Sequence, residues 1–425
     1  MKVIKMKKLQ KIRFTKNQKG FALFITVLFM LMLAVIVVPF FNVIVLNLLI
    51  SGNQEKRVSA FYLADAGVQY AQNQLSASDG EWSGTTAPYY LIHSTETVGS
   101  FTVDVNTTIN SYGYLIYKVN SIGQMMNSFS RASIQVMLRK GGYGDYLFLM
   151  DKTTGIYFGS EDIVKGKVHA NDYINVTGTP VFQKLVTTTQ TVSTTKGSKP
   201  IYQDGVLTKV SPISLPDVND FVTLKNLAKN GGLYIQPSGD VTIDINTTYM
   251  TVTYKSGSKT TTYNYYFNST TSNKMIYVND HDIYLSGTLN GQVTIVANNG
   301  MYITDNLVYL DESANSDDIL GLISKNDIVL LDSVAPNIAR IDAQIMSTNG
   351  SFKGEIARRR SSLTVYGSIA EKKLGAFTNS NYTRGYTNSQ HWEYDNRLKF
   401  VQPPNYLKAG NTSFQMIYWK NAYFQ

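Results

Sequence analysis

Cysteine is absent from the 425 residues. That excludes disulfides, thiolate metal sites and cysteine nucleophiles together, and leaves packing and hydrogen bonds to hold an extracytoplasmic domain. Charge is sparse, since only 16% of the residues are Asp, Glu, Lys or Arg while 43% are hydrophobic. The four histidines, His93, His169, His281 and His391, stand far apart and show no metal-ligand spacing. Phosphate-binding glycine loops, an HExxH helix and a Gly-x-Ser-x-Gly elbow are also missing.

What charge there is lies at one end. The formal net charge of +9 resembles a nucleic-acid footprint until it is located along the chain. Residues 1–20 hold eight Lys or Arg and no acid, which leaves +1 for the remainder. A nearly neutral body has no basic field with which to hold phosphates, so nucleic acid is not expected as a partner. Basic residues crowded before an apolar span belong to membrane topology, where they stay on the cytoplasmic side.

The apolar span follows at once. Phe21 to Ile50 carries no charge, and a bilayer core of roughly 30 Å needs only about 20 helical residues. A secretory signal peptide has an apolar region of roughly 7–15 residues and then a small-residue cleavage site, and neither fits. Pro39 removes a backbone donor and predicts a kink or a local loss of helix. Beyond the span, "SGNQEKRVSAFYLADAGVQYAQNQL" at 51–75 continues the helical pattern. Val58, Phe61, Tyr62, Ala66, Tyr70 and Leu75 fall near one face, and Glu55, Arg57, Asp65 and Gln72 lie away from it. A single helix over residues 21–75 would be on the order of 80 Å long.

A basic leader ending in Gly20, an aromatic Phe21, a long apolar half-helix with a central proline and a polar second half together resemble a type IV pilin or pseudopilin N-terminus. Asn53, Arg57, Ala60-Phe61 and Ala64-Asp65-Ala66-Gly67 resemble the PilX-type minor pilin N-terminal domain. The resemblance implies that a prepilin peptidase cuts between Gly20 and Phe21 and that the new N-terminus is methylated. It also implies that the helix then packs against those of other pilin subunits in a filament. One position departs from the major-pilin pattern: Ile25 stands where those subunits generally carry Glu. A buried carboxylate in an apolar bundle is costly unless paired, so its absence fits a minor or tip subunit.

After Leu75 the composition turns to strand formers separated by Gly, Asn and Ser. "GSFTVDVNTTI", "YGYLIYKVNSIG" and "FSRASIQVML" alternate apolar and polar residues and read as an antiparallel meander, which places a small β head at 76–140. From Tyr143 short apolar runs, each ended by Gly or Asn, recur. The turn pairs Asn299-Gly300, Asn326-Asp327 and Asn349-Gly350 are spaced by 27 and 23 residues. That periodicity points to a parallel β-helix-like solenoid over 143–405; an irregular β-sandwich is the alternative. The fold class expected is therefore α+β with a mainly β body. The same region resembles a domain of unknown function common in pilus-associated proteins, through pieces such as "GKVHANDYINVTGTPVF" at 166–182 and "YDNRL" at 394–398. No activity comes with that resemblance.

Thr-rich 185–200 and Tyr-rich 247–274 read as insertions, either loops or projecting hairpins, and 406–425 as a C-terminal tail. Exposed tyrosines would suit a glycan or surface ligand. Asp280 and Asp282 alternate along a strand and are weak candidates for a calcium site or, in a membrane-anchored polysaccharide enzyme, for acid/base work. Turn capping is the preferred reading of both, since Asx residues entering a strand usually cap turns. No enzyme and no cofactor is expected. The leading expectation is a minor pilin-like structural subunit in the cytoplasmic membrane, N-terminus inside and β-rich body outside, then in a pilus. A pilus-tip adhesin is the further alternative.

Overall fold

The computed structural model describes residues 19–109, 115–153, 155–216, 218–267, 273–332, 337–355, 357–407 and 414–424. The leader expected at 1–20 lies outside them, apart from Lys19 and Gly20. Helix α1 runs Lys19–Ala77, 59 residues, and passes through Pro39 without interruption. The local loss of helix expected there does not occur. One proline withdraws a single donor, and its apolar neighbours have no polar side chains to offer the backbone another arrangement.

The second half of α1 lies on a five-stranded antiparallel sheet. Its strands, in spatial order, are Tyr89–His93, Glu96–Ile109, Leu115–Met125, Arg131–Lys140 and Phe414–Phe424. The fifth corrects the expected C-terminal tail. Met416 pairs with Leu138 and Trp419 with Val136, so this segment covers the outer side of Arg131–Lys140 and is itself the edge strand. Phe414 is buried and meets the Tyr117 ring edge-on at 4.8 Å.

The remaining body is one 21-stranded sheet plus a two-stranded one, mostly of parallel pairs. Its order explains how the apolar runs are used. In one column of parallel strands Leu233 lies beside Ile276, then come Ile295, Leu322, Ile345 and Ile369. The column then continues with residues from far earlier in the chain: Phe148, Val168, Val186 and Val206. A second column stacks Leu307, Ile341, Val365, Trp392, Val164, Phe182 and Tyr202. Inward positions are therefore apolar rung after rung, and nearly all are fully buried.

The chain thus enters this stack at its middle, near residue 148, and runs to one end by 208. It then returns outside through helix α2 (Val218–Lys229), whose Phe221, Leu224 and Ala228 pack near Met275 and Tyr277. From the other end it climbs back to the middle by residue 394. Entry and exit lie together, which is why Phe414–Phe424 can rejoin the first sheet.

These ladders take up both expected insertions: the Thr-rich one joins the parallel rungs, and the Tyr-rich one is a hairpin, as expected, but packed on the body rather than projecting from it. In the Thr-rich 185–200, Val186–Thr188 and Val192–Thr194 pair in parallel with Val168–Ala170 and Ile174–Val176. Threonine is a β-branched strand former whose hydroxyl can bond the next rung, as Thr187 Oγ1 does to the Val168 carbonyl at 3.0 Å. In the Tyr-rich stretch, Tyr249–Ser256 and Lys259–Tyr265 add antiparallel to Val241–Thr247 and cover the open edge of the terminal rung. Met250, Val252 and Phe267 are buried there, and Tyr254, Tyr263 and Tyr265 pack against the main core. Residues 268–272 lie outside the described ones.

Candidate functional site: the N-terminal helix

The two halves of α1 have opposite environments. Every residue from Gly20 to Ser51 is exposed, and Gly20–Ala77 is the one described helix long and apolar enough to cross a membrane. Phe21 is 63% exposed and Ile25 44%. Gly20 stands in open space, since a Cβ added there would meet nothing within 4 Å. Among the described residues no packing requires glycine at that position.

From residue 60 onward the helix is docked. Ala60, Leu63, Ala64, Val68, Ala71 and Leu75 are buried against Phe101, Val103, Val119, Ile134, Val136 and Leu138. The face read from the sequence is corrected in part: Leu75 is buried and Phe61, Ala66 and Tyr70 pack against this core, whereas Val58 and Tyr62 are exposed and Ala60, Leu63, Ala64, Val68 and Ala71 make the inner contact. The reason is a close approach. A Cβ on Gly123 would sit 2.2 Å from the Ala60 carbonyl oxygen, and one on Gly67 would sit 2.2 Å from Ser121 Oγ. Ser121 Oγ donates to the Ala64 carbonyl at 2.7 Å. Gln72 is not on the open face either; its Nε2 donates to the Phe414 carbonyl at 2.5 Å. Aromatic rings flank the contact, with Tyr70 near Tyr89, Phe101 and Trp82, and Phe61 edge-on to Trp419.

The sheet is tied to the body by a buried ion pair. Arg139, at the end of Arg131–Lys140, meets Asp145 in the 3-10 turn Tyr143–Asp145, with side chains 1% and 3% exposed. Asp145 Oδ2 also accepts from the Gly142 N–H at 2.6 Å. A second buried pair, Asp395 with Arg397, braces the segment leaving the body: Arg397 Nη2 donates to Asp395 Oδ2 at 2.8 Å, and Tyr366 donates its hydroxyl to Asp395 Oδ1 at 3.0 Å.

The other candidates have structural occupations. Asp282 Oδ1 accepts from Asn299 Nδ2 at 2.7 Å and from the Gly300 N–H at 2.8 Å, so it caps the next turn in the stack. Asp280, in the left-handed region at φ 60°, accepts from Asn298 Nδ2 at 3.1 Å. Among the described residues no three His, Asp or Glu are grouped so as to hold a metal ion. His169 is buried between Thr187 Oγ1 at 2.9 Å and Asn171 Oδ1 at 3.0 Å, and loss of water holds its pKa below the usual range.

Searches of protein-family models and of curated proteins return no match. Among solved structures, the competence-associated pilin ComZ from Thermus thermophilus matches at a TM-score of 0.37 and 11% sequence identity, covering 86% of this chain and 98% of that one. At that TM-score the likeness carries no weight for fold or function.

Sequence reasoning passed over a group that the body assembles: Glu161, Asp162 and Glu371, which line one cavity. More than 200 positions separate the first two from the third, so no local motif could have announced them. The pairing of Ile369 with Phe148 brings them together.

Proposed function

We propose that this chain is a pilin-like structural subunit, cut by a prepilin peptidase after Gly20 and assembled through α1 into a type IV pilus or related filament. One observation carries the reading: a single unbroken helix whose first half is apolar and wholly uncovered while its second half is docked on a sheet. An apolar half-helix of this length has two environments that keep it from water, a bilayer and a bundle of similar helices. Transfer from the first to the second is what filament assembly would require. A glycine at position 20 that packing among the described residues does not need supports recognition by a processing enzyme.

The remaining features fit a minor or tip position. Ile25 offers no carboxylate to a neighbour's amino terminus, and the body, which reads as a solenoid from its stacked parallel rungs, is bulky to repeat along a shaft. Its action is association rather than catalysis, in keeping with Asp280 and Asp282 being engaged in turn contacts. The body would face outward, with the residues before Phe21 on the cytoplasmic side. Filaments sheared from producing cells test this. The chain should appear in the sheared fraction when the peptidase is present and stay with the membrane when it is removed. Membrane retention under both conditions would contradict the proposal.

A further inference from the structure

One side of the stacked body is broken. Phe352–Gly354 pairs with Ile328–Leu330 on one side, and Ile174–Val176 pairs with Val192–Thr194 further along. Between them, residues 374–384 form no strand; among the described residues they hold the isolated bridge Thr378–Gly385 and the bond from the Gly354 N–H to the Ala376 carbonyl at 3.0 Å. The missing strand leaves a cavity of about 430 Å³ that reaches the interior.

Its inner wall is aromatic. Phe148 and Trp392 meet edge-on at 5.0 Å, Phe377 and Trp392 at 5.5 Å, and Phe352 and Phe377 at 4.9 Å. Its acidic groups are three carboxyls, and Thr, Ser, Asn, Gln and Tyr side chains line it as well. Asp162 Oδ1 accepts from Trp392 Nε1 at 2.7 Å and its Oδ2 from the Gly159 N–H at 2.7 Å. Glu371 Oε2 accepts from the Phe352 N–H at 2.8 Å, and Glu161 is hydrogen-bonded by Tyr382 at the mouth. Tyr382 is held there by a loop closed on Asn379, whose Oδ1 accepts from the Thr383 and Arg384 N–H groups at 2.8 and 2.9 Å. Among the described residues no Lys, Arg or His lines the cavity.

We propose that this cavity binds an organic ammonium group, seated against the Trp392 and Phe377 rings and neutralised by Glu161 and Glu371. The physical argument is one of charge. Three carboxyls beside aromatic rings, with no basic side chain among the lining residues, favour a cation through the ring quadrupoles and through carboxylates that ionise as it enters. Burial pushes Asp162 up to about 7 and Glu371 up to about 8, so the cavity holds carboxyls whose ionisation lacks a counter-charge. An entering ammonium supplies one. A neutral sugar would use the rings and hydroxyls but would gain nothing from that deficit. The volume lies within the range of small-molecule sites. This inference stands apart from the assembly role, since it involves no residue of α1.

The test is calorimetric titration of the full chain in an uncharged detergent with choline and with its isostere in which carbon replaces the nitrogen. Saturable choline binding at least about tenfold tighter than the isostere is expected, because the charge is the recognised feature. Glu161→Gln and Glu371→Gln, which keep an acceptor oxygen for Tyr382 and the Phe352 N–H, should each weaken it about tenfold. Equal binding of the isostere, unchanged affinity in both variants, or binding of a neutral disaccharide without choline would each overturn the proposal. So would the absence of any saturable choline binding.

Discussion

Gly123→Ala is the sharpest test of how α1 is docked. The new methyl would lie 2.2 Å from the Ala60 carbonyl oxygen and 2.3 Å from the Ala64 nitrogen, both backbone atoms of the helix. Neither can rotate aside. Regaining van der Waals distance of about 3.5 Å requires helix and strand to separate by more than about 1 Å. That separation stretches the 2.7 Å bond from Ser121 Oγ to the Ala64 carbonyl beyond hydrogen-bond range. Overpacking of this kind costs about 1–3 kcal/mol and the lost bond about 1 kcal/mol more. Urea denaturation of the detergent-solubilised protein should therefore show a loss of roughly 2–4 kcal/mol. Trp82 and Trp419, which lie beside the helix, report it by emission, and hydrogen exchange should rise in residues 60–75. Gly52→Ala is the control, because a Cβ there meets nothing within 4 Å and alanine favours a helix interior by about 1 kcal/mol. A Gly123→Ala protein as stable as its parent would refute the close approach.

Two further outcomes follow from buried charge. Glu371 is pushed up to about 8 by burial, whereas an unfolded glutamate releases its proton near about 4.3. Between those values the folded protein binds more protons, so stability falls as pH rises, by at most about 1.4 kcal/mol per pH unit. Glu371→Gln should flatten that slope in urea titrations from pH 5 to about 8; an unchanged slope would place the burial elsewhere. At the junction, Arg139→Met leaves Asp145 buried without its partner and should cost about 3–5 kcal/mol, with Asp145→Asn added on top recovering part of it. If the double variant is no more stable than Arg139→Met, the loss is not electrostatic.

Much of this architecture was legible because it is local. The charge-free run from Phe21 to Ile50 needed only counting, and the turn pairs at Asn299, Asn326 and Asn349 do lie one above the next. Asn326 Nδ2 donates to Asn299 Oδ1 at 2.8 Å, and the Asn349 N–H reaches the Lys325 carbonyl at 2.9 Å. What was hidden depends on distant partners. Nothing near Phe414 says that its strand will lie beside Arg131–Lys140, and nothing near Phe148 names Ile369 as its neighbour. The contact face of α1 was misread for a different reason. Hydrophobic size favoured Val58 and Tyr62, but the close approach at Gly67 and Gly123 turns Ala60, Leu63, Ala64 and Val68 to the sheet instead. The acids of the cavity were passed over in favour of Asp280 and Asp282, because paired carboxylates in one strand are visible in sequence and carboxyls gathered by stacking are not.

The central claim is that α1 enters an assembly as a processed pilin-like helix. Mass spectrometry of the N-terminal peptide from native cells, with and without the prepilin peptidase, tests it most directly. The account predicts a methylated Phe21 that disappears when the peptidase is absent. An intact residue 1, or a cut at another position that does not depend on the peptidase, would contradict it and leave α1 as a membrane anchor alone.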